Sequence, residues 1–308
     1  MITYYFRTLK DETLKEISEP RTGVWAHVVD PNEDEMSKLA QLFKLDEDII
    51  KDATDFYEVP RMEKSDGSTY YFTRYPYNDQ QQGNATAPIL IIIGESFVVT
   101  IAVKEVPQFR KFFSSERPIV TTQKAKFFIQ IMSIFTRSFD RELRRFQKAV
   151  NKDRIRLRSI GPKDIERLVG YETKLNGMVD ALIPTNIWLQ KVTNASGQIQ
   201  MYSEDVEMME DLVIANGQVV NSARSVLTTI QNIRGAIEAI MTSRLNNALR
   251  VLTVLTILLT VPLVIASLYG MNVNLPMQEN PNAFFFILTF SIILLVSLVA
   301  FFRKKDWL

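Results

Sequence analysis

Between Arg250 and Arg303 the chain carries only two ionisable side chains, Tyr269 and Glu279, although the whole sequence has 36 Lys and Arg and 35 Asp and Glu. Two apolar runs fill most of that interval, Val251 to Leu268 and Phe284 to Phe302. Each is long enough to cross roughly 30 Å of hydrocarbon at about 1.5 Å per helical residue. The Val, Leu and Ile of the first run contribute about −4 to −7 kcal/mol on an insertion scale. Charges are missing from every helical face of both runs, so a purely soluble protein is excluded. The mean hydropathy of −0.01 hides this partition. A connection of about fifteen residues, Tyr269 to Ala283, has no Lys or Arg, whereas Arg244 and Arg250 precede the first run and Arg303, Lys304 and Lys305 follow the second. The positive-inside rule then predicts two spans, about 251–268 and 284–302, with both termini cytoplasmic and the connection outside. The expected location is the cell membrane, with lipids as partners.

The runs differ in kind. The second is almost uniformly apolar and rich in Phe. The first carries Asn246, Thr256, Thr260 and Ser267 on one helical stripe, with Leu249, Leu252 and Leu263 between them. Such hydroxyls satisfy themselves on their own i−4 carbonyls and then serve helix–helix contact, or they face water inside an oligomer. The stripe alone leaves both readings open.

Upstream, residues 1–120 read as an α/β domain. Strand-like runs occur at Ile2 to Phe6, Gly23 to Val29, Thr69 to Tyr75, Pro88 to Ile93 and Ser96 to Val103, with Gly94-Glu95 as a hairpin turn between the last two. Helices are predicted over Asn32 to Phe43 and Asp46 to Thr54, the first opened by Asn32 with acids in its first turn. Residues 121–250 read as all helix. A first helix steps through Phe128, Ile131, Phe135, Phe139 and Leu143, and a second follows Gly161-Pro162, with Pro184 as a kink or short interruption. A third begins after Ser196-Gly197 and runs unbroken into the first span, roughly 100 Å if continuous from Tyr202 to Leu268. A helix so long needs neighbours, including copies of itself, to bury its apolar stripe. Residues 251–308 are the transmembrane part with a basic tail.

Several classes of function are excluded. There is no cysteine for a disulfide framework or thiolate site, and a single histidine, His27, reads as a packed strand residue. No phosphate loop, nucleophile elbow or carboxylate–histidine set occurs, so no enzyme site is visible. Met1 to Glu12 lacks the apolar core of a secretory signal. The net charge of +1 argues against nucleic acid as a partner. The stretch from Arg137 to Arg167 is basic, eleven Lys or Arg against five acids, and reads as the solvated face of two helices in preference to an anion-binding surface.

Directly after the first span stands Tyr269-Gly270-Met271-Asn272. Here the sequence resembles the CorA family of divalent-cation channels, whose hallmark is this tetrapeptide ending the first of two C-terminal spans. Asn246 to Thr253, reading NNALRVLT, resembles the family's approach to the membrane, with Leu249 where Met is usual. The tail from Arg303 to Leu308 resembles the family's lysine-rich end, and Trp25 with Asp30-Pro31 and the following acids resembles its cytoplasmic domain. The resemblance implies a funnel-shaped homopentamer with one central pore that takes up magnesium, and with it cobalt and nickel, under the membrane potential. It implies a selectivity filter at Tyr269, Gly270, Met271 and Asn272, and a pore and gate lined by Asn246, Leu249, Leu252, Thr256, Thr260, Leu263 and Ser267. Magnesium would be both the transported and the regulatory ion, with no covalent cofactor, and regulatory binding would fall to Asp205, Glu207, Glu210 and Asp211. Two other readings stand beside it: a zinc transporter or exporter of the same architecture, and a membrane-anchored coiled-coil scaffold without a pore.

Overall fold

The computed structural model describes residues 1–77, 85–113, 119–155, 161–194, 201–277, 279–305 and 307. The break expected at Ser196-Gly197 lies outside these residues, as do Arg156 and Arg158 of the basic stretch and Asp306 and Leu308 of the tail. The chain divides into two compact units, Met1–Ile233 and Arg234–Leu308.

The first unit is built on a seven-stranded sheet: β1 (Ile2–Phe6), β2 (Lys15–Ile17), β3 (Val24–Val29), β4 (Met62–Ser65), β5 (Ser68–Pro76), β6 (Thr86–Ile93) and β7 (Phe97–Ala102). Their order is β2-β1-β3-β7-β6-β5-β4. Only β3 and β7 pair in parallel; every other neighbour is antiparallel. β6 and β7 are buried at every position, as expected of central strands covered on both faces.

Side-chain alternation sorts the core into two layers. Val24, Ala26, Val28, Tyr70, Phe72, Leu90, Ile92, Val99 and Ile101 face α1 (Glu33–Phe43) and α2 (Glu47–Asp52), which add Met36, Leu39, Ala40 and Ile50. The opposite face gathers Trp25, Tyr71, Tyr75, Ile89, Ile91 and Val98 with Phe109 and Phe112, the latter on the short α3 (Arg110–Phe113). Onto it pack α4 (Lys124–Ile155), α5 (Pro162–Asn194) and the start of α6 (Ser203–Tyr269), through Phe127, Phe128, Phe135, Trp188, Leu189, Met209 and Leu212. Trp25 is fully buried and meets Phe109 and Phe127 edge-on at 5.4 and 5.1 Å. Such pairs add about 0.5–1.5 kcal/mol each beyond area burial.

Local chemistry explains where these elements start. Asn32 closes a capping box: its side chain accepts from the Glu35 amide at 2.8 Å and the Glu35 carboxylate accepts from the Asn32 amide at 3.2 Å. Asp46 caps α2, accepting from the amides of Asp48 and Ile49. α5 runs through Pro184 as one continuous helix instead of breaking there. The hairpin between β6 and β7 turns through Gly94, Glu95 and Ser96, and the Gly94 amide donates to the Phe97 carbonyl at 3.1 Å. Glycine is required there for space and not for a left-handed backbone. A Cβ at Gly94 would stand 2.2 Å from the Phe97 ring, and its φ is not positive.

In the second unit the remainder of α6 is followed by a connection and by α7 (Ala283–Lys304). In the most apolar window of α6 only 6 % of positions are buried, and none are in that of α7. That exposure distinguishes both helices from the core helix of a soluble fold, which is mostly covered.

Candidate ion pathway along α6

Within the second unit, shielded positions fall on one face of each long helix. On α6, Val254 is fully buried and Ile257, Leu258, Val261 and Ile265 are half-buried. On α7 a matching strip of Ile287, Ser291, Leu294, Leu298 and Phe302 is half-buried or buried. Spacings of three and four place each strip on a single helical face, as when two helices cover one another.

At about 100° per residue the polar stripe of α6 lies opposite its shielded face. Asn246, Leu249, Leu252, Thr256, Thr260, Leu263 and Ser267 are all exposed. Leu249, Leu252, Thr256, Thr260, Leu263 and Ser267 therefore share one free surface that points away from the helix face covered within the chain, while Asn246, also exposed, stands to its side, about 75° from the centre of the covered face. Thr256 donates its hydroxyl proton to the Leu252 carbonyl at 2.9 Å, and Thr260 donates to the Thr256 carbonyl at 2.7 Å. These bonds consume the protons and leave the oxygen lone pairs outward, so each threonine presents an acceptor. Thr253, one step off the stripe, does the same with Leu249 at 2.8 Å.

α6 ends at Tyr269. The Gly270 amide donates to the carbonyls of Ala266 and Ser267 at 3.0 and 3.2 Å, and that of Met271 to Leu268 at 3.3 Å, closing the last turn. Gly270, Met271 and Asn272 are exposed beyond it. At the other end of the pair, the basic tail residues Arg303, Lys304 and Lys305 are exposed, and Trp307 folds back so that its amide donates to the Phe302 carbonyl at 3.0 Å.

The four candidate regulatory acids separate by environment. Asp205 is 6 % exposed and accepts from the Tyr202 amide at 3.1 Å, the reciprocal half of a helix-start cap. Glu207, Glu210 and Asp211 are exposed. Among the described residues of a single chain, no three acidic or imidazole side chains converge as a metal site. His27 is packed: burial lowers its pKa to about 4, with Glu105 opposing, and its Nδ1 lies 2.9 Å from the Thr100 hydroxyl.

The sequence model of the family described as CorA-like Mg2+ transporter protein matches residues 21–304. The chain is 24% identical over 321 residues to the cobalt/magnesium transport protein CorA of Methanocaldococcus jannaschii, covering 98% of this chain and 96% of that one. The complete structure of the CorA magnesium transporter from the same organism superposes with a TM-score of 0.88 at 19% identity, over 100% of this chain and 99% of the other. The full-length CmaX protein gives 0.75 at 13% identity, over 100% and 98%.

Proposed function

The chain belongs to the CorA-like Mg2+ transporter family, and from that premise we propose that it is a magnesium channel whose pore is lined by the α6 stripe of five identical copies. The observation that carries this reading is the position of the stripe: polar side chains on the exposed face of an apolar helix, opposite the face covered within the chain. Facing lipid, the Asn246 and Asn272 amides at its two ends would lose their hydrogen-bonding partners at a cost of several kcal/mol. Facing a shared axis, they meet water.

Magnesium surrenders its hydration shell reluctantly. The protons of its bound waters point outward, so the ion is best recognised by rings of acceptors. Asn272 side-chain amides and Gly270 carbonyls supply the outer ring, with Tyr269 and Met271 holding the turn. The outward lone pairs of Thr256 and Thr260, then Ser267 and Asn246, continue the path. Neutral oxygens hold a hydrated divalent ion without trapping it, and conduction needs such weak, repeated sites. Leu249, Leu252 and Leu263 interrupt the polar groups, and the first two form an apolar constriction that closes by dewetting. The membrane potential drives inward movement, about 2.3 kcal/mol per charge per 100 mV and twice that for a divalent ion. Cobalt and nickel, hydrated ions of the same charge, are accepted by the same rings. Arg303, Lys304 and Lys305 hold the tail on the cytoplasmic side.

Intracellular magnesium closes the pore by bridging copies. Glu207, Glu210 and Asp211 offer exposed oxygens on one helix, and a neighbouring copy supplies the remaining ligands.

The deciding experiment is flux of magnesium, cobalt, nickel and zinc into liposomes holding the purified protein, with and without a potential, beside Asn272→Ala. Potential-dependent magnesium entry that disappears in the variant, with assembly unchanged, is the expected result. Entry unaffected by the substitution would remove the asparagine ring, and absence of any flux would favour the scaffold.

A further inference from the structure

The basic stretch of α4 does not only face solvent. A cleft of about 380 Å³ in the first unit collects Lys111 from α3, Arg141 and Arg145 from α4, and Lys174 from α5. Among the described residues, four cations from three helices thus border one cavity with one carboxylate, Glu142, which is held by Arg145 at 2.5 Å. Arg141 and the half-buried Lys174 form no hydrogen bond or ion pair among the described residues. Leaving a lysine half-buried and uncompensated is costly, and an anionic ligand removes that cost. A solvated helix face explains cations spread along one helix; it does not explain cations brought by three helices to one hollow.

The rest of the wall is not that of a simple phosphate site. Tyr77 and Phe146, both half-buried, line the cleft with the buried Met178. Each ring is braced edge-on from behind, Tyr77 by Tyr75 at 6.2 Å and Phe146 by Tyr171 at 5.7 Å. Gln108, also on the wall, donates its Nε2 to the Pro76 carbonyl at 2.8 Å, while its Oε1 is buried with no partner. Flat apolar faces ask for a planar ring to lie against them.

We propose that this cleft binds a nucleoside triphosphate in its metal-free form, with the phosphates on Lys111, Arg141, Arg145 and Lys174 and the base against Tyr77 and Phe146. Magnesium neutralises much of the charge on a triphosphate chain, so a site whose described lining offers four cations and, with Glu142 held by Arg145, no spare carboxylate to share a metal prefers the uncomplexed anion. Occupancy then rises as free magnesium falls. The cleft is assigned without using the pore, and its test reads binding and not flux, so its failure and that of the transport reading are distinguishable.

The test is calorimetric titration of the full-length protein in detergent with ATP, inorganic tripolyphosphate and sulfate at matched ionic strength, first with chelator and then with millimolar magnesium. ATP is expected to bind more tightly than tripolyphosphate, sulfate not at all, and magnesium to weaken ATP by about tenfold or more. Arg141→Gln with Lys174→Gln, at unpaired positions whose loss leaves no buried partner, is expected to lower ATP affinity by a similar factor while the melting temperature stays unchanged. No ATP binding under chelator, or affinity untouched by the double substitution, overturns the site. Tripolyphosphate binding as tightly as ATP overturns the assignment of a ring-bearing ligand, and tighter binding with magnesium overturns the preference for the metal-free form.

Discussion

The guanidinium of Arg250 lies 6.0 Å from the ring of Trp307, so the residue that opens the first span touches the tail that follows the second. Trp307 in turn stacks on Phe302 at 5.8 Å with an interplanar angle of 20°, and Phe302 is buried on the shielded strip of α7. The ring therefore links the start of one membrane helix to the end of the other.

A cation–π contact at an exposed site contributes about 0.5–1 kcal/mol. A double-mutant cycle of Arg250→Leu and Trp307→Ala, read by thermal unfolding of the detergent-solubilised protein, should return a coupling of about that size. Strict additivity of the two substitutions would show that the ring and the guanidinium are neighbours without an energetic link.

Thr260→Val tests the proposed acceptor rings with little change of shape. Valine keeps the β-branch and removes the oxygen, while the Thr256 carbonyl keeps its place in the helix. Losing the hydrogen bond to ion-bound water that this ring supplies, about 1 kcal/mol where one oxygen of the ring meets the hydrated ion at a time, should lower magnesium flux by about fivefold without altering assembly. Flux equal to that of the parent protein would place Thr260 against lipid or protein.

Gly94→Ala drives a Cβ into the Phe97 ring, which is held between Gly94 and Phe43, the latter at 4.7 Å. The ring cannot retreat without disturbing a buried face, so the substitution should destabilise by about 1–3 kcal/mol. Phe97→Leu in the same background should recover part of the loss in melting temperature. A destabilisation that Phe97→Leu fails to relieve would point to the turn and not to the ring.

Much of this architecture is legible in the chain because it is written at the level of periodicity. Five strands, the Asn32 helix start and the two spans follow from alternation, capping chemistry and the absence of charge. β2 and β4 escape notice because Lys15–Ile17 and Met62–Ser65 are short, polar edge strands, held by their neighbours and not by a buried face of their own. α3 is a single turn of four residues, RKFF, too short to show a helical period. The face of α6 opposite its covered side is also predictable, since the stripe has its own spacing. The basic cleft is not. Its cations come from Lys111, from Arg141 and Arg145 one turn apart on α4, and from Lys174, and only tertiary contact of three helices makes these separate stretches neighbours.

The single histidine gives a pH dependence whose sign is determined by burial. Trp25 donates its indole proton to the Thr100 hydroxyl at 2.9 Å, and His27 Nδ1 lies 2.9 Å from the same oxygen, so the imidazole is engaged by a buried hydroxyl. Burial lowers the folded pKa from 6.5 to about 4, with Glu105 pulling the other way. Between those values the unfolded chain binds the proton and the folded chain does not, so stability rises with pH across that window. The contribution is intact above pH 6.5 and is lost as the pH falls towards 4, reaching about 3 kcal/mol. Other carboxylates titrate in the same range, so the informative quantity is the difference in melting temperature between the parent protein and His27→Gln, which keeps an acceptor for Thr100 but cannot charge. That difference should move in favour of the variant as pH drops from 6.5 to 4 and stay constant above 7. A difference that ignores pH would mean that the imidazole is hydrated in the folded protein and that the Trp25–Thr100–His27 contact opens readily to water.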